Sequence, residues 1–293
     1  METVSIIIPS LNSTLIDQVC EAIRCQTYDQ SRIEVIIVGI DEKGIIPIDT
    51  QITFIPTDRL TNAAKNRNIG ISRASGDIFV FLDSDCLPRS DWLIAHLARH
   101  RRGEKVVGGA VELPPGGRWQ LADNVSAFHD LLPHTEEGPR PYLATANLSM
   151  RREVIEDIGS MNPELRYAHD LEWTVRMRKK GYSLYFEPRA VVLHDPPRNT
   201  PRAVWRHWYD DAPYTLLVRV AEASWLDTPG LARYRLSYLA GAPLIALWAT
   251  CYTFSHPVTR NAYWHTSPLV YFTKLIWCLG ALFRFPGKFE LPR

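Results

Sequence analysis

Four short β-branched runs, spaced by helix-length segments, constrain this chain more than any other feature. They read "VSIII" (4–8), "EVIIV" (34–38), "ITFI" (52–55) and "DIFVFL" (77–82). Runs this short and apolar predict parallel strands buried on both faces of a sheet. Between the last two, "TNAAKNRNIGISRASG" predicts a helix with Ala63, Ala64, Ile71 and Ala74 on one face and Gly76 as its stop. The order β-α-β-β-α-β predicts a nucleotide-binding α/β domain whose ligand lies outside the carboxyl ends of the strands.

The fourth run ends in Asp83-Ser84-Asp85, which the pattern puts at the mouth of that crevice. Two acids there repel one another and lose solvation unless a cation joins them. A hard divalent ion, Mg²⁺ or Mn²⁺, is the natural partner, because such ions bridge carboxylates to substrate phosphates. The alternative is a solvated turn that caps a helix beginning near Asp91.

Charge and cysteine content narrow the setting. A net charge of +1 over 293 residues gives no global pull towards nucleic acid, and 46% hydrophobic content supplies a substantial core. The five cysteines are odd in number and lack zinc-site or disulfide-framework spacing, which reads as reduced cytosolic thiols. Met1-Glu2-Thr3 leads into the first apolar run with no basic leader, so the catalytic part is expected in the cytoplasm.

Four stretches together, in this order, carry a resemblance: "VSIIIPSLN", "RNIGISRASGDIFVFLDSDCLP", "ATANLSMRREVIEDIGSMNPEL" and "HDLEWTVRMRKKGYSLYFEPRAVVLHD". Over roughly residues 3 to 195 the chain resembles glycosyltransferase family 2, the inverting nucleotide-sugar transferases of the GT-A fold. The resemblance implies that Pro9 lies in the loop beside the nucleotide base and that Arg67 and Asn68 lie near the donor. It implies that Asp83 and Asp85 are the family's Asp-x-Asp, the second a metal ligand and the first nearer the ribose. Asp170 falls on the catalytic base, and His194 on a histidine that completes the metal or diphosphate site in several relatives.

The chain departs from the family pattern twice. Most relatives end their second strand in an acid that recognises the base; here Gly39 and Ile40 stand in those places, and Asp41 substitutes only with a shifted register. Uridine is therefore a default for the nucleotide. His169 replaces the usual Glu before the catalytic Asp, which alters local electrostatics and leaves the base in place.

Glycosyl transfer needs a neutralised diphosphate leaving group, an acceptor hydroxyl in line behind the anomeric carbon, and a base for its proton. Asp170 precedes "LEWTVRMRKKGY", where Leu171 and Val175 share a helical face and Gly181 is a stop, so it sits near a helix N-terminus. It can serve there as base or as cap. Glu172 and His169 are acceptor-side candidates, as is Asn147, for which core hydrogen bonding is the alternative. The Pro/Gly-rich stretch 114–141, with Trp119 and His129, reads as a long loop with one short helix, either an acceptor lid or a plain connection.

The last third changes character. Six of the nine tryptophans lie beyond residue 200, residues 236–255 carry no charge, and 267–283 carry only Lys274. From Arg233 onward seven Lys or Arg face one acid, Glu290. Such segments match the hydrocarbon thickness of a bilayer with aromatic and cationic edges. Pro243 and Lys274 interrupt a simple span, so a partly inserted hairpin, amphipathic helices on an anionic leaflet, and helices packed on the core all remain open.

The sequence expectation is thus an α/β GT-A domain over 1–200, its nucleotide-sugar half at 1–100 and acceptor half at 101–200, with a membrane-associating helical extension at 201–293. Its expected chemistry is Mn²⁺- or Mg²⁺-dependent transfer from a nucleotide sugar to a membrane-proximal or lipid-linked glycan, at the cytoplasmic face. The rival readings are a soluble or protein acceptor, and a non-catalytic GT-A scaffold that binds a glycan or a partner protein.

Overall fold

A computed structural model describes residues 2–59 and 61–291. The chain divides into two compact units, one formed by 1–112 with 136–195 and the other by 113–135 with 196–293. Residues 113–135, which the sequence expectation put in the 101–200 half, lie in the second unit.

The first unit begins β1 (Val4–Leu11), α1 (Ile16–Arg24), β2 (Ile33–Ile40), β3 (Ile52–Pro56), α2 (Ala63–Arg73) and β4 (Ile78–Leu82). These four strands pair in the order β3-β2-β1-β4, all parallel, as the apolar runs predict. Next come β5 (Cys86–Pro88), α3 (Trp92–Arg101) and β6 (Val106–Glu112), after which α4 (Arg118–Phe128) belongs to the second unit. The first unit resumes with β7 (Gly138–Pro139), β8 (Asn147–Arg151), α5 (Arg152–Ile158), α6 (His169–Lys179) and β9 (Leu184–His194). The sheet continues β4-β8-β6-β9-β5, with β8 antiparallel to both β4 and β6.

That reversal matters for the site. Strand β8 runs against its neighbours, so the carboxyl end of β4 lies beside the start of β8, where Leu82 is opposite Asn147. The fold is a mixed α/β sheet flanked by helices, of GT-A type.

Helix α2 differs from the expected pattern in its inner face. Its buried residues are Ala64, Asn66, Arg67 and Gly70, while Ala63 and Ile71 are only half-buried. Two polar side chains therefore occupy the face the apolar pattern would fill with hydrocarbon. Asn62 caps the helix, its side-chain oxygen accepting from Lys65 N at 2.9 Å. Gly70 admits the close approach of β1, since a Cβ there would come within 2.5 Å of Ile7.

The second unit is helical: α4, α7 (Pro201–Ala221), α8 (Arg235–Thr253), α9 (Pro257–Tyr263) and α10 (Ser267–Phe283). Helix α10 packs against α8, α7 and α4. Its Gly280 lets α7 approach, because a Cβ would meet Tyr209 O at 2.5 Å. Ala212, Leu216, Tyr238, Ala242, Cys278, Ala281 and Leu282 form its apolar core. Asp123 of α4 is fully buried and accepts from Arg198 Nε at 2.6 Å and Trp208 Nε1 at 2.8 Å. Lys274 donates to Ser126 O at 2.9 Å and lies 4.9 Å from the Trp208 ring centroid. Helices α8 and α9–α10 are long and apolar enough to cross a membrane by length and composition.

Candidate active site

Strand β4 delivers Asp83 and Asp85 to the carboxyl edge of the sheet. The turn after it closes on itself through Cys86 N to Asp83 O at 3.0 Å. It is tied to the ends of two neighbouring strands, by Ser13 Oγ to Ser84 O at 2.7 Å and by Asp195 N to Asp85 O at 2.9 Å. Cys86 then pairs with His194 across β5 and β9. This pairing sets His194 Nε2 3.6 Å from Asp85 Oδ1. One ligand atom each from Asp85, Cys86 and His194 fall within 4.8 Å of one another. The carboxylate oxygen and imidazole nitrogen so gathered suit a divalent metal ion. Burial, then the charges of Asp85 and Asp83, pushes the Cys86 thiol well above its ordinary pKa.

Arg67 links the acids to α6. Its guanidinium is 2% exposed, pairs with Asp83 through one terminal nitrogen, and places the other 2.8 Å from His169 Nε2. Burial first, and then Arg67, hold the His169 imidazole down to a pKa of about 4, against the opposing pull of Asp170 and Asp83. A neutral ring accepts from a guanidinium, whereas the carboxylate usual at this place would form a second ion pair. The exchange leaves Asp83 as the anion that pairs with Arg67.

Asp170 lies in the first turn of α6, and its carboxylate accepts from Leu171 N at 2.8 Å. The helix starts at Ala168, which has φ 55° and ψ 15° and caps nothing with its side chain. It ends as its sequence predicts: Gly181, with φ +90°, donates to Arg178 O at 2.9 Å and Tyr182 donates to Met177 O at 3.1 Å, the paired bonds of a Schellman motif. The register of α6 against β4 is set by Trp173, whose ring stands edge-on to Phe81 at 5.3 Å and whose Nε1 donates to Gly159 O at 2.9 Å.

The remaining sequence candidates divide by their contacts. Asn68 exchanges hydrogen bonds with the main chain of Met161, at 2.8 and 2.9 Å, and so clamps α2 to the segment before α6. Pro9 is buried in β1 opposite Val38. The Asp41 carboxylate accepts from Ile45 N and Ile46 N at 3.1 and 2.9 Å, closing its own turn. Gly39 has φ +146°, and a Cβ there would come within 1.7 Å of Ser10 O. No side chain fits at position 39, which excludes an acid there. Glu172 is 5% exposed and pairs with Arg176 at 2.7 Å. Asn147 is buried: its oxygen meets Trp92 Nε1 at 2.7 Å and His96 Nε2 at 2.8 Å, and its amide donates to Ala110 O and Ala190 O. The hydrogen bonds of Asn147 are thus those of a core residue.

Two residues that the sequence did not single out, Ser10 and Asn66, join Arg67 here. Ser10 Oγ, Asn66 Nδ2 and Arg67 Nε are buried without a hydrogen-bond partner. Ser10 is the penultimate residue of β1, and Asn66 and Arg67 are adjacent on α2, so all three belong to elements that border the crevice. Such groups carry a desolvation cost unless a polar ligand meets them. For Ser10 and Asn66 the signal in the sequence was adjacency to Pro9 and Arg67. Cys86 was missed for another reason: only the pairing of β5 with β9 brings it to His194.

Comparison with known proteins agrees with this architecture. The model of the family described as glycosyl transferase family 2 matches residues 5–159. A relative from Haloferax volcanii, glycosyltransferase AglE, is 32% identical over 65% of this chain and 66% of its own length. The pre-mycofactocin glycosyltransferase of Mycobacterium tuberculosis is 27% identical over 54% of this chain and 37% of its own. The chain thus spans less than two thirds of either relative. Among solved structures, the mannosyltransferase PcManGT from Pyrobaculum calidifontis, in complex with GDP-Man and Mn²⁺, superimposes with a TM-score of 0.61. It is 17% identical, with 97% of this chain and 88% of that one covered, a likeness of fold.

Proposed function

The chain belongs to glycosyl transferase family 2, and from that premise we propose that it is a metal-dependent, inverting transferase that moves a sugar from a nucleoside-diphosphate sugar to a hydroxyl of a membrane-proximal or lipid-linked glycan. The observation that carries the reading is the chain of contacts from Asp85 and His194 through the Asp83 turn to Arg67, His169 and the first turn of α6.

Asp85 and His194 would hold Mn²⁺ or Mg²⁺, with Asp83 beside them, and the nitrogen ligand favours Mn²⁺. Bound there, the ion would act as a Lewis acid on the departing diphosphate. Arg67 holds Asp83 in place and adds positive charge on the donor side. Asn68 acts on the donor side by clamping α2, Pro9 acts from within β1 and not from a loop, and Asp41 closes the turn after β2. The Asp170 carboxylate, anchored by Leu171 N, takes the proton of the acceptor hydroxyl as the new bond forms. His169 and Glu172 border it on the acceptor side, and Asn147 acts through the packing of β8. Exposed apolar and cationic residues in the second unit support an acceptor at the cytoplasmic face of a membrane.

UDP sugars are the default from the family, while PcManGT was solved with GDP-Man. Thermal shifts with UDP, GDP, CDP and dTDP and their sugar conjugates, each with Mn²⁺, Mg²⁺ or EDTA, need no acceptor. Stabilisation by one nucleotide that EDTA abolishes is the expected result. No stabilisation by any of them, in buffer or in lipid, would favour a non-catalytic scaffold.

A further inference from the structure

Helix α8 has two unlike faces, both apolar. Tyr238, Ala242, Ala246, Thr250 and Thr253 are buried, and Tyr238 and Ala242 join Cys278, Ala281 and Leu282 of α10 in one core. The opposite face carries Leu236, Leu239, Leu244, Leu247, Trp248 and Tyr252, each 52% to 73% exposed. Successive members lie three, five, three, one and four residues apart, so they form a broad band along the side of the helix left unburied by Tyr238, Ala242, Ala246 and Thr250. Soluble proteins seldom leave a contiguous apolar surface of this kind uncovered.

The surrounding charge selects what covers it. No Asp or Glu occurs between Asp227 and Glu290. Arg233 and Arg235 at the start of α8 and Arg260 after its end are exposed, as are the aromatic rings of Tyr234 and Trp264. An apolar stripe flanked by cations and amphipathic aromatics matches the headgroup and upper acyl region of an anionic bilayer. A second copy of this chain fits poorly, because a two-fold contact would set arginine against arginine with no acid near in sequence.

Helix α10 excludes a spanning hairpin. It is the helix against which α8, α7 and α4 pack, and its polar groups are spent inside the unit: Thr273 on Ser126 at 2.7 Å, Lys274 on Ser126 O at 2.9 Å and Trp277 on Asp211 at 3.1 Å. To span, it would have to abandon these bonds in hydrocarbon.

We propose that α8 lies in the plane of an anionic membrane leaflet, its Leu236–Tyr252 stripe in the lipid and α10 beneath it as a protein core helix. The inference rests on the membrane-facing reading above and specifies which residues make the contact and how deep they go.

The test is co-flotation of the full chain with phosphatidylcholine vesicles, with and without phosphatidylglycerol, at low and high salt. The wild type should float with the anionic vesicles and less so at high salt. The double variant Leu244→Glu, Leu247→Glu should partition at least about tenfold less, since two interfacial leucines are lost. Both side chains point to solvent, so its circular dichroism and melting temperature should be unchanged. Cys25 and Cys251 are exposed and the other three thiols buried, so an environment-sensitive fluorophore on Cys251, in a Cys25→Ser background, should shift to the blue with vesicles and be quenched by lipids labelled near the headgroup more than at the bilayer centre. Quenching strongest at the centre would overturn the in-plane geometry. A double variant that floats like the wild type would overturn the α8 assignment while the membrane reading stands. A wild type that floats with no vesicle would defeat both. Self-association of the wild type that the double variant abolishes would make the stripe a dimer face and overturn the proposal.

Discussion

Arg67 Nη1 lies 2.8 Å from Nε2 of His169. A guanidinium carries only donors, so Nε2 is the acceptor and the ring proton sits on Nδ1. His169 is therefore a neutral anchor for the arginine that grips Asp83.

Replacing that anchor should separate hydrogen bonding from size. His169→Ala leaves a buried guanidinium N–H unmet and should weaken nucleotide binding by about tenfold or more, the scale of one charged hydrogen bond. His169→Gln offers an amide oxygen and should recover much of the loss. Calorimetric titration with nucleotide and Mn²⁺ distinguishes them, and equal affinities for both variants would show that the contact positions nothing.

Removing the Asp85 carboxylate should uncouple nucleotide from metal. In Asp85→Asn the thermal stabilisation by nucleotide should no longer differ between Mn²⁺ and EDTA. A retained Mn²⁺ dependence would move the metal to other ligands.

Asp170→Asn should leave donor affinity as it is and lower transfer by about 10² to 10⁴, the usual span for a general base. The amide keeps the shape and the bond from Leu171 N, so melting should change little. Turnover at the wild-type rate would place the base elsewhere.

Acid should weaken the fold before it reaches the ordinary carboxylate range. Burial pushes His96 down to about 4, His100 to about 3 and, with help from Arg67, His169 to about 4. All three values lie below the 6.5 of an unperturbed imidazole, so between the two limits the unfolded chain binds more protons. Stability should be full above about pH 6.5 and should decline as pH falls towards 4. The melting temperature should be flat from pH 8 to 7 and then drop through pH 6 and 5; a flat profile down to pH 5 would contradict neutral burial.

In the second unit, Asp123→Ala leaves Arg198 and Trp208 Nε1 without their acceptor. The expected loss is about 3 kcal/mol, at the low end for a broken buried pair because Arg198 is partly exposed. Denaturant titration reads it, and an unchanged midpoint would show that water replaces the carboxylate at no cost.

The parallel strands were legible because each apolar run is short, β-branched and bounded by helix-length sequence. The positions of Asp83 and Asp85 followed from the strand before them. The inner face of α2 was not legible, since periodicity counts hydrocarbon and the residues turned inward are Asn66 and Arg67. Nor was the placement of 113–135: Asp123 pairs with Arg198 and Trp208 far along the chain, and no local pattern encodes a partner at that separation. The gathering of Cys86 with His194 depends on strand pairing and was equally hidden.

Ala168 holds a left-handed backbone in front of His169 and Asp170. A residue with a Cβ bears about 1 to 2 kcal/mol of strain in that conformation. Glycine, being achiral, would relieve it, and would also loosen the two torsions that aim the first turn of α6. Selection for heat resistance and selection for the aim of the Asp170 carboxylate, the base proposed above, thus pull in opposite directions on a single stereocentre.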